Sequence, residues 1–230
     1  LNNIHAYLTP SIIDAIYLNK IPIVWTLHDF KLICPDSHFL SNGVICKKCL
    51  GDKFYMCFFN KCKKSSYGAS FVASIEAYYH KTLKLYSKVN YFIAPSEFLK
   101  DKFIEDGWKS KKFKVLRNFF QKGSKSPLLN NDNLNYILYF GRLERIKGVH
   151  TLIKATAGIN SNISLKIVGD GHDKNELEKF VKSTNCNNVE FCGYKSGSEL
   201  NELIKNSLFI IVPSEWYENC PYTIIEGMSF

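Results

Sequence analysis

Short apolar runs alternate along this chain with longer stretches whose apolar residues recur at helical spacing. Ile21 to Leu27, Val89 to Ala94, Lys114 to Leu116, Tyr136 to Phe140, Ser164 to Val168, Asn188 to Phe191 and Ser207 to Val212 read as strands, several of them apolar on both faces. Asn3 to Tyr7 reads as the end of a further buried strand. Pro10 to Leu18, Ser66 to Tyr86, Ser96 to Asp106, Gly148 to Ala157, Asp173 to Ser183 and Glu199 to Lys205 carry the helical spacing, and another helix starts near Thr223. Strands buried on both faces and separated by helices require right-handed crossovers, so the pattern predicts an α/β fold with parallel sheets.

Two stretches break the alternation. Phe119 to Asn133 is polar and holds Gly, Pro and Asn, which suits a linker at 121–133 between a first domain, 1–120, and a second, 134–230. Residues 31–64 show little periodicity and contain Cys34, Cys46, Cys49, Cys57 and Cys62, so they read as an insertion in the first domain. Both ends of the chain stop in mid-pattern, and both domains are expected to be incomplete.

Composition narrows the classes. With 46% hydrophobic and 22% charged residues the chain is a folded globular protein, and no apolar run is long enough to span a bilayer. Thirty Lys and Arg against 21 Asp and Glu leave a formal charge of +9, which favours polyanions: nucleic acid, an anionic membrane surface or phosphorylated small molecules. The start shows no secretory pattern, so the eight cysteines read as reduced or metal-bound and the location as cytoplasmic, with membrane association allowed by the charge.

Candidate chemistry sits where strands run into helices. Tyr139 to Gly148 (YFGRLERIKG) follows one strand; Gly141 permits a tight turn, and Arg142 and Lys147 place two cations in one loop, suited to a diphosphate. Taken alone, such a loop is more often a solvated basic turn. Pro213 to Glu226 (PSEWYENCPYTIIE) follows another apolar run; it holds Glu218 and Glu226, and the free N–H groups at its helix start would attract an anion. Unpaired surface glutamates are the plain alternative.

The FGRL…KG segment, the Ile-Val-Gly-Asp-Gly171 turn, the strand end Val189 to Gly193 and the PSE…Glu226 segment, in this order and spacing, resemble the donor domain of glycosyltransferase family 4. Ile23 to Asp29 and Val89 to Ser96 resemble the second half of that family's acceptor domain. The resemblance implies the GT-B fold, two Rossmann-like domains facing a cleft. It further implies a hexosyltransferase that moves a sugar from a nucleoside diphosphate sugar to a hydroxyl of a glycan or glycolipid, with retention of configuration and no catalytic metal. In that pattern Arg142 and Lys147 hold the donor diphosphate, Glu226 binds the ribose, and Glu218 with Asn219, Cys220, Pro221, Tyr222 and Thr223 orients the sugar. Gly141 shapes the diphosphate loop, Gly193 and Tyr194 pack the base, and His28 of the acceptor domain meets the sugar, with His5 a further family position. The family's opening glycine-rich loop and closing helices are missing here, so the piece by itself is expected to be inactive. A catalytically inactive sugar-nucleotide-binding or scaffold protein of the same fold is the alternative.

Cys46-Lys-Lys-Cys49 has the gap of a zinc knuckle, and Cys57 and Cys62 lie within ligand range, so these four could form a structural zinc site; free buried thiols or a redox pair fit equally. Lysines and aromatics interleave with the cysteines. A zinc-dependent nucleic-acid module would use them so, but it leaves the donor motifs unexplained, and no nucleic-acid partner is expected. Contact with anionic lipid or a lipid-linked acceptor suits them better, beside the bland reading of a solvated charged face.

Overall fold

Two sets of parallel strands organise the computed structural model, each in its own unit: Leu1–Asn118 with Trp216–Cys220, and Phe119–Glu215 with Pro221–Phe230. The structure describes residues 1–2, 4–7, 9–120, 135–157, 163–184 and 186–230, so the expected linker at 121–133 lies outside the described residues.

The first unit runs α1 (Ile4–Tyr7), α2 (Ile12–Leu18), β1 (Val24–Thr26), a hairpin of β2 (Leu40–Ser41) and β3 (Val44–Ile45), α3 (Tyr55–Phe59), α4 (Tyr67–Thr82), β4 (Tyr91–Ala94), α5 (Glu97–Glu105) and β5 (Phe113–Val115). Its main sheet has the order β1-β4-β5, all parallel, with Trp25 opposite Phe92 and Phe92 opposite Phe113. The Phe92 and Phe113 rings stack at 5.4 Å between centroids, and Phe103 of α5 closes over Phe113 at the same distance, so aromatic area supplies much of this core. Helix α5 starts where it does because the Ser96 hydroxyl accepts the Leu99 N–H at 3.1 Å.

Two expectations change here. Ile4 to Tyr7, expected in a strand end, form α1 instead, with Ile4 buried, while Asn2 bridges Thr26; Asn3 lies outside the described residues. The segment 31–64 has structure of its own, the β2–β3 hairpin and α3, held to α4 through a small core of Cys49, Phe54 and Cys57.

In the second unit β6 (Tyr136–Phe140), α6 (Val149–Ala157), β7 (Ser164–Val168), α7 (Lys174–Ser183), β8 (Val189–Gly193) and α8 (Gly197–Lys205) alternate, and α9 (Tyr222–Gly227) follows. The sheet is parallel in the order β6-β7-β8. On the far side of β6, Ser207 to Val212 was expected as a strand; only Ile210 pairs there, in a parallel bridge to Leu138, while Leu208 and Ile211 N–H groups reach β6 carbonyls at 2.9 Å. The run keeps the place of a strand next to β6 without a continuous ladder. Every residue of β6 is buried, because Ile137 and Tyr139 enter the core under α6 and α7 while Tyr136, Leu138 and Phe140 enter the core under α8. Strands laid out β8-β7-β6 with the Ile210 run beyond give a Rossmann-like order whose reversal falls beside β6. Among the described residues no helix is long and apolar enough to cross a membrane.

Candidate active site

The carboxyl ends of β6, β7 and β8 each terminate in glycine backbone: Gly141, Gly169 and Gly193. They are laced edge to edge, Gly141 N–H donating to Val168 O at 3.0 Å and Gly169 N–H to Gly193 O at 2.8 Å. Gly169 has φ +143, and a Cβ there would run into the Gly141 carbonyl, so only glycine lets the two turns close. Gly148, at φ +71, is confined in the same way by the Pro213 carbonyl at the start of α6. The outcome is a shelf of bare backbone at the point where the strand order reverses, the place where open parallel sheets bind ligands.

Above this shelf lies a cleft of about 450 Å³ lined by Gly141, Arg142, Gly169, Asp170, Tyr194 and Glu226, among others. The Arg142 loop is held from beneath. The Tyr139 hydroxyl donates to Arg142 O at 2.8 Å, Leu143 N–H donates to Asp170 O at 2.9 Å, and fully buried Leu143 anchors the turn. The guanidinium is thereby presented outward, 66% exposed, with its Nη1 3.0 Å from Glu144 Oε1. An ion pair this exposed is worth at most about 1 kcal/mol, so an incoming anion can replace Glu144 at small cost.

Glu226 is the complementary group. It projects from α9, its carboxylate has no hydrogen-bond partner among the described residues, and partial burial raises its pKa above the ordinary glutamate value. A desolvated, unsatisfied acceptor on a cleft wall is suited to hydroxyl groups. Thr223, in the first turn of α9, reaches the Phe140 carbonyl at 3.5 Å and ties that helix to the end of β6. The helix has 6 residues and begins at Tyr222 behind Pro221, so it adds little dipole and Arg142 is the main attraction for an anion.

Gly141, Arg142, Tyr194 and Glu226 therefore come together in one cleft, with Gly193 in the shelf below. Lys147 lies in the tight turn Arg145–Lys147, partly buried, and does not line the cleft. Glu218, Asn219 and Cys220 group with the first unit, while Pro221, Tyr222 and Thr223 group with the second. The Trp216 indole N–H donates to Glu218 Oε1 at 2.9 Å, the Ser96 and Asn219 side chains meet at 3.1 Å, and Asn118 donates to Cys220 O at 3.1 Å. His28 is exposed just beyond β1, and next to it Asp29 accepts the Lys31 N–H at 2.8 Å, capping the loop.

His5 differs from His28. Both its ring nitrogens are buried without hydrogen-bond partners, its ring lies 5.3 Å from that of Trp25, and burial, reinforced by the Lys31 charge, lowers its pKa to about 4. Sequence reasoning gave no role to Gly169, Asp170 or Lys195, which also line the cleft. The signal for the first two was the Ile-Val-Gly-Asp-Gly171 turn itself, since a glycine directly after a buried strand marks close backbone approach. Lys195 follows Tyr194 in the loop before α8 and stands 3.5 Å from Glu199, an ion pair that carries no such signal.

Cys49, Cys57 and Cys62 share one small cluster, in which the Cys57 thiol donates to Cys62, raising the pKa of Cys57 and lowering that of Cys62. Among the described residues no group of three or more His, Cys, Asp or Glu side chains is placed to hold a metal ion.

Residues 121–230 match the family described as Glycosyl transferases group 1. An uncharacterized glycosyltransferase of Methanocaldococcus jannaschii, MJ1178, is 33% identical over 106 residues, 46% of this chain and 29% of that protein. The Anabaena Alr3699/HepE structure with UDP aligns over 96% of this chain and 54% of its own, with a TM-score of 0.65 and 20% identity. The lipopolysaccharide outer core galactosyltransferase WaaB aligns over 63% of this chain and 42% of its own, with a TM-score of 0.54 and 24% identity. The chain thus spans about half the length of HepE and less of the other two. At these identities the structural likeness speaks for the fold, which is that of GT-B proteins, and the family match extends over residues 121–230, a little under half of the chain.

Proposed function

We propose that the second unit binds a nucleoside diphosphate sugar and that the protein transfers its sugar to a hydroxyl of a glycan or glycolipid with retention of configuration. The observation that carries this reading is the pairing, in one cleft over a glycine shelf, of an outward Arg142 with the unpartnered, desolvated carboxylate of Glu226. Arg142 takes the diphosphate in charge-assisted hydrogen bonds that strengthen as negative charge grows on the departing phosphate. Glu226 accepts from the ribose hydroxyls, Gly193 and Tyr194 bound the base, and the bare shelf lets the phosphates approach the backbone of Gly141 and Gly169. Lys147, which does not line this cleft, is assigned to the diphosphate on the family resemblance alone. The residues from Glu218 to Thr223, together with His28, are assigned to the transferred sugar on the family resemblance.

HepE structures hold UDP and UDP-glucose, which makes a uridine diphosphate sugar the first donor to try. The test is to incubate the protein with a panel of nucleotide sugars and measure release of nucleoside diphosphate without acceptor. One base and one sugar should stand out, and Arg142→Ala should abolish the release. Release that is unchanged in that variant would overturn the assignment.

A further inference from the structure

Helix α4 is built with its small residues inward and its large apolar ones outward. Ser70, Ala73 and Ser74 are buried, whereas Phe71, Val72, Ile75 and Tyr79 are each at least 50% exposed. Exposed Tyr67 and Leu83 extend this face at its two ends, and α3 adds exposed Phe59 and Tyr55 beside it. The Phe58 ring lies 5.3 to 5.8 Å from the rings of Phe59, Tyr67 and Phe71, joining the helices into one aromatic surface. The only acid in α4, Glu76, is engaged by Lys31 at 2.8 Å. Contiguous exposed apolar area of this kind marks a docking surface.

Its charges select the occupant. Lys61, Lys63 and Lys64 precede α4, and Lys81 and Lys84 close it; Lys64 and Lys84 make no ion pair among the described residues, and the Lys61 amine sits 4.3 Å over the Tyr67 ring. A second copy of the chain laid on this face in either direction would bring lysine ends against lysine ends. An anionic bilayer meets both features, since phenylalanine and isoleucine enter the acyl boundary, tyrosines remain at the headgroup level and lysines reach lipid phosphates. From this surface we infer that the α3–α4 face seats the protein on an anionic lipid bilayer, a conclusion independent of the donor-site reading.

Flotation of the purified chain with vesicles of phosphatidylcholine alone and of phosphatidylcholine mixed with phosphatidylglycerol tests the inference. The chain should float with the mixed vesicles only, and less so as salt rises. Phe71→Ser with Ile75→Ser should weaken binding about tenfold or more per residue, and Lys64→Glu with Lys84→Glu should do so without touching the apolar face. All four side chains are exposed, so circular dichroism should show both variants folded, and the charge variant carries the test if the other is not. Equal flotation with both vesicle types, flotation unchanged in the variants, or a dimer in sedimentation that the serine variant dissolves would each overturn the proposal.

Discussion

Both units place a parallel three-stranded sheet under helices, yet the carboxyl ends of the two sheets are finished differently. In the second unit the strands end in Gly141, Gly169 and Gly193, and what they present is backbone. In the first unit β1 runs out through Leu27 to His28 and Asp29, and β4 through Pro95 to Ser96, so what is presented is side chain, partly spent on capping the next turn. One architecture thus gives a bare shelf that phosphates can approach and, elsewhere, a fringe of side chains that holds loops in place. The difference lies in a few residues after each strand rather than in the sheets.

The sharpest break of this contrast is electrostatic. Under the proposed transfer reaction Arg142→Ala should lower turnover about a hundredfold to a thousandfold, on the order of 2.7 to 4 kcal/mol, because its contact strengthens in the transition state. Steady-state kinetics at saturating donor measures it. Glu226→Ala should mainly raise the donor KM, since ribose hydroxyls gain no charge during transfer.

Next in size is a pH effect confined to the first unit. His5 titrates near pH 4 when folded and near 6.5 when unfolded, so the unfolded chain takes up the proton first. Stability from neutral His5 is present above about pH 6.5 and is lost as pH falls toward 4, up to about 3 kcal/mol. Denaturant melts across that range should show the loss in the wild type and a smaller one in His5→Phe.

Smaller again, Gly169→Ala should cost about 2 kcal/mol by forcing apart the β6 and β7 turns, with donor binding lost in parallel. Ser96→Ala should cost about 1 kcal/mol through the lost cap of α5, with donor binding kept. Thermal melts with and without nucleotide separate the two variants.

Much of this could be read from the chain because burial on both faces leaves an unmistakable pattern. Tyr136 to Phe140 and Ser164 to Val168 occupy the strands β6 and β7 as expected. Patterns failed where pairing partners decide the outcome. Ser207 to Val212 is as apolar as β6 but meets it in a single bridge, and Ile4 to Tyr7 coils into α1 although Asn2 pairs with Thr26. The site followed the same rule. Arg142 and Glu226 were visible as charges beside strand ends, whereas Lys195 reaches the cleft only through the path of the loop after β8.

Calorimetric titration of a nucleoside diphosphate and the matching monophosphate into the wild type, Arg142→Ala and Glu226→Ala tests the donor-cleft assignment most directly. The wild type should prefer the diphosphate, Arg142→Ala should erase that preference, and Glu226→Ala should weaken both ligands alike. Binding by both variants that matches the wild type for both ligands would contradict the assignment of this cleft.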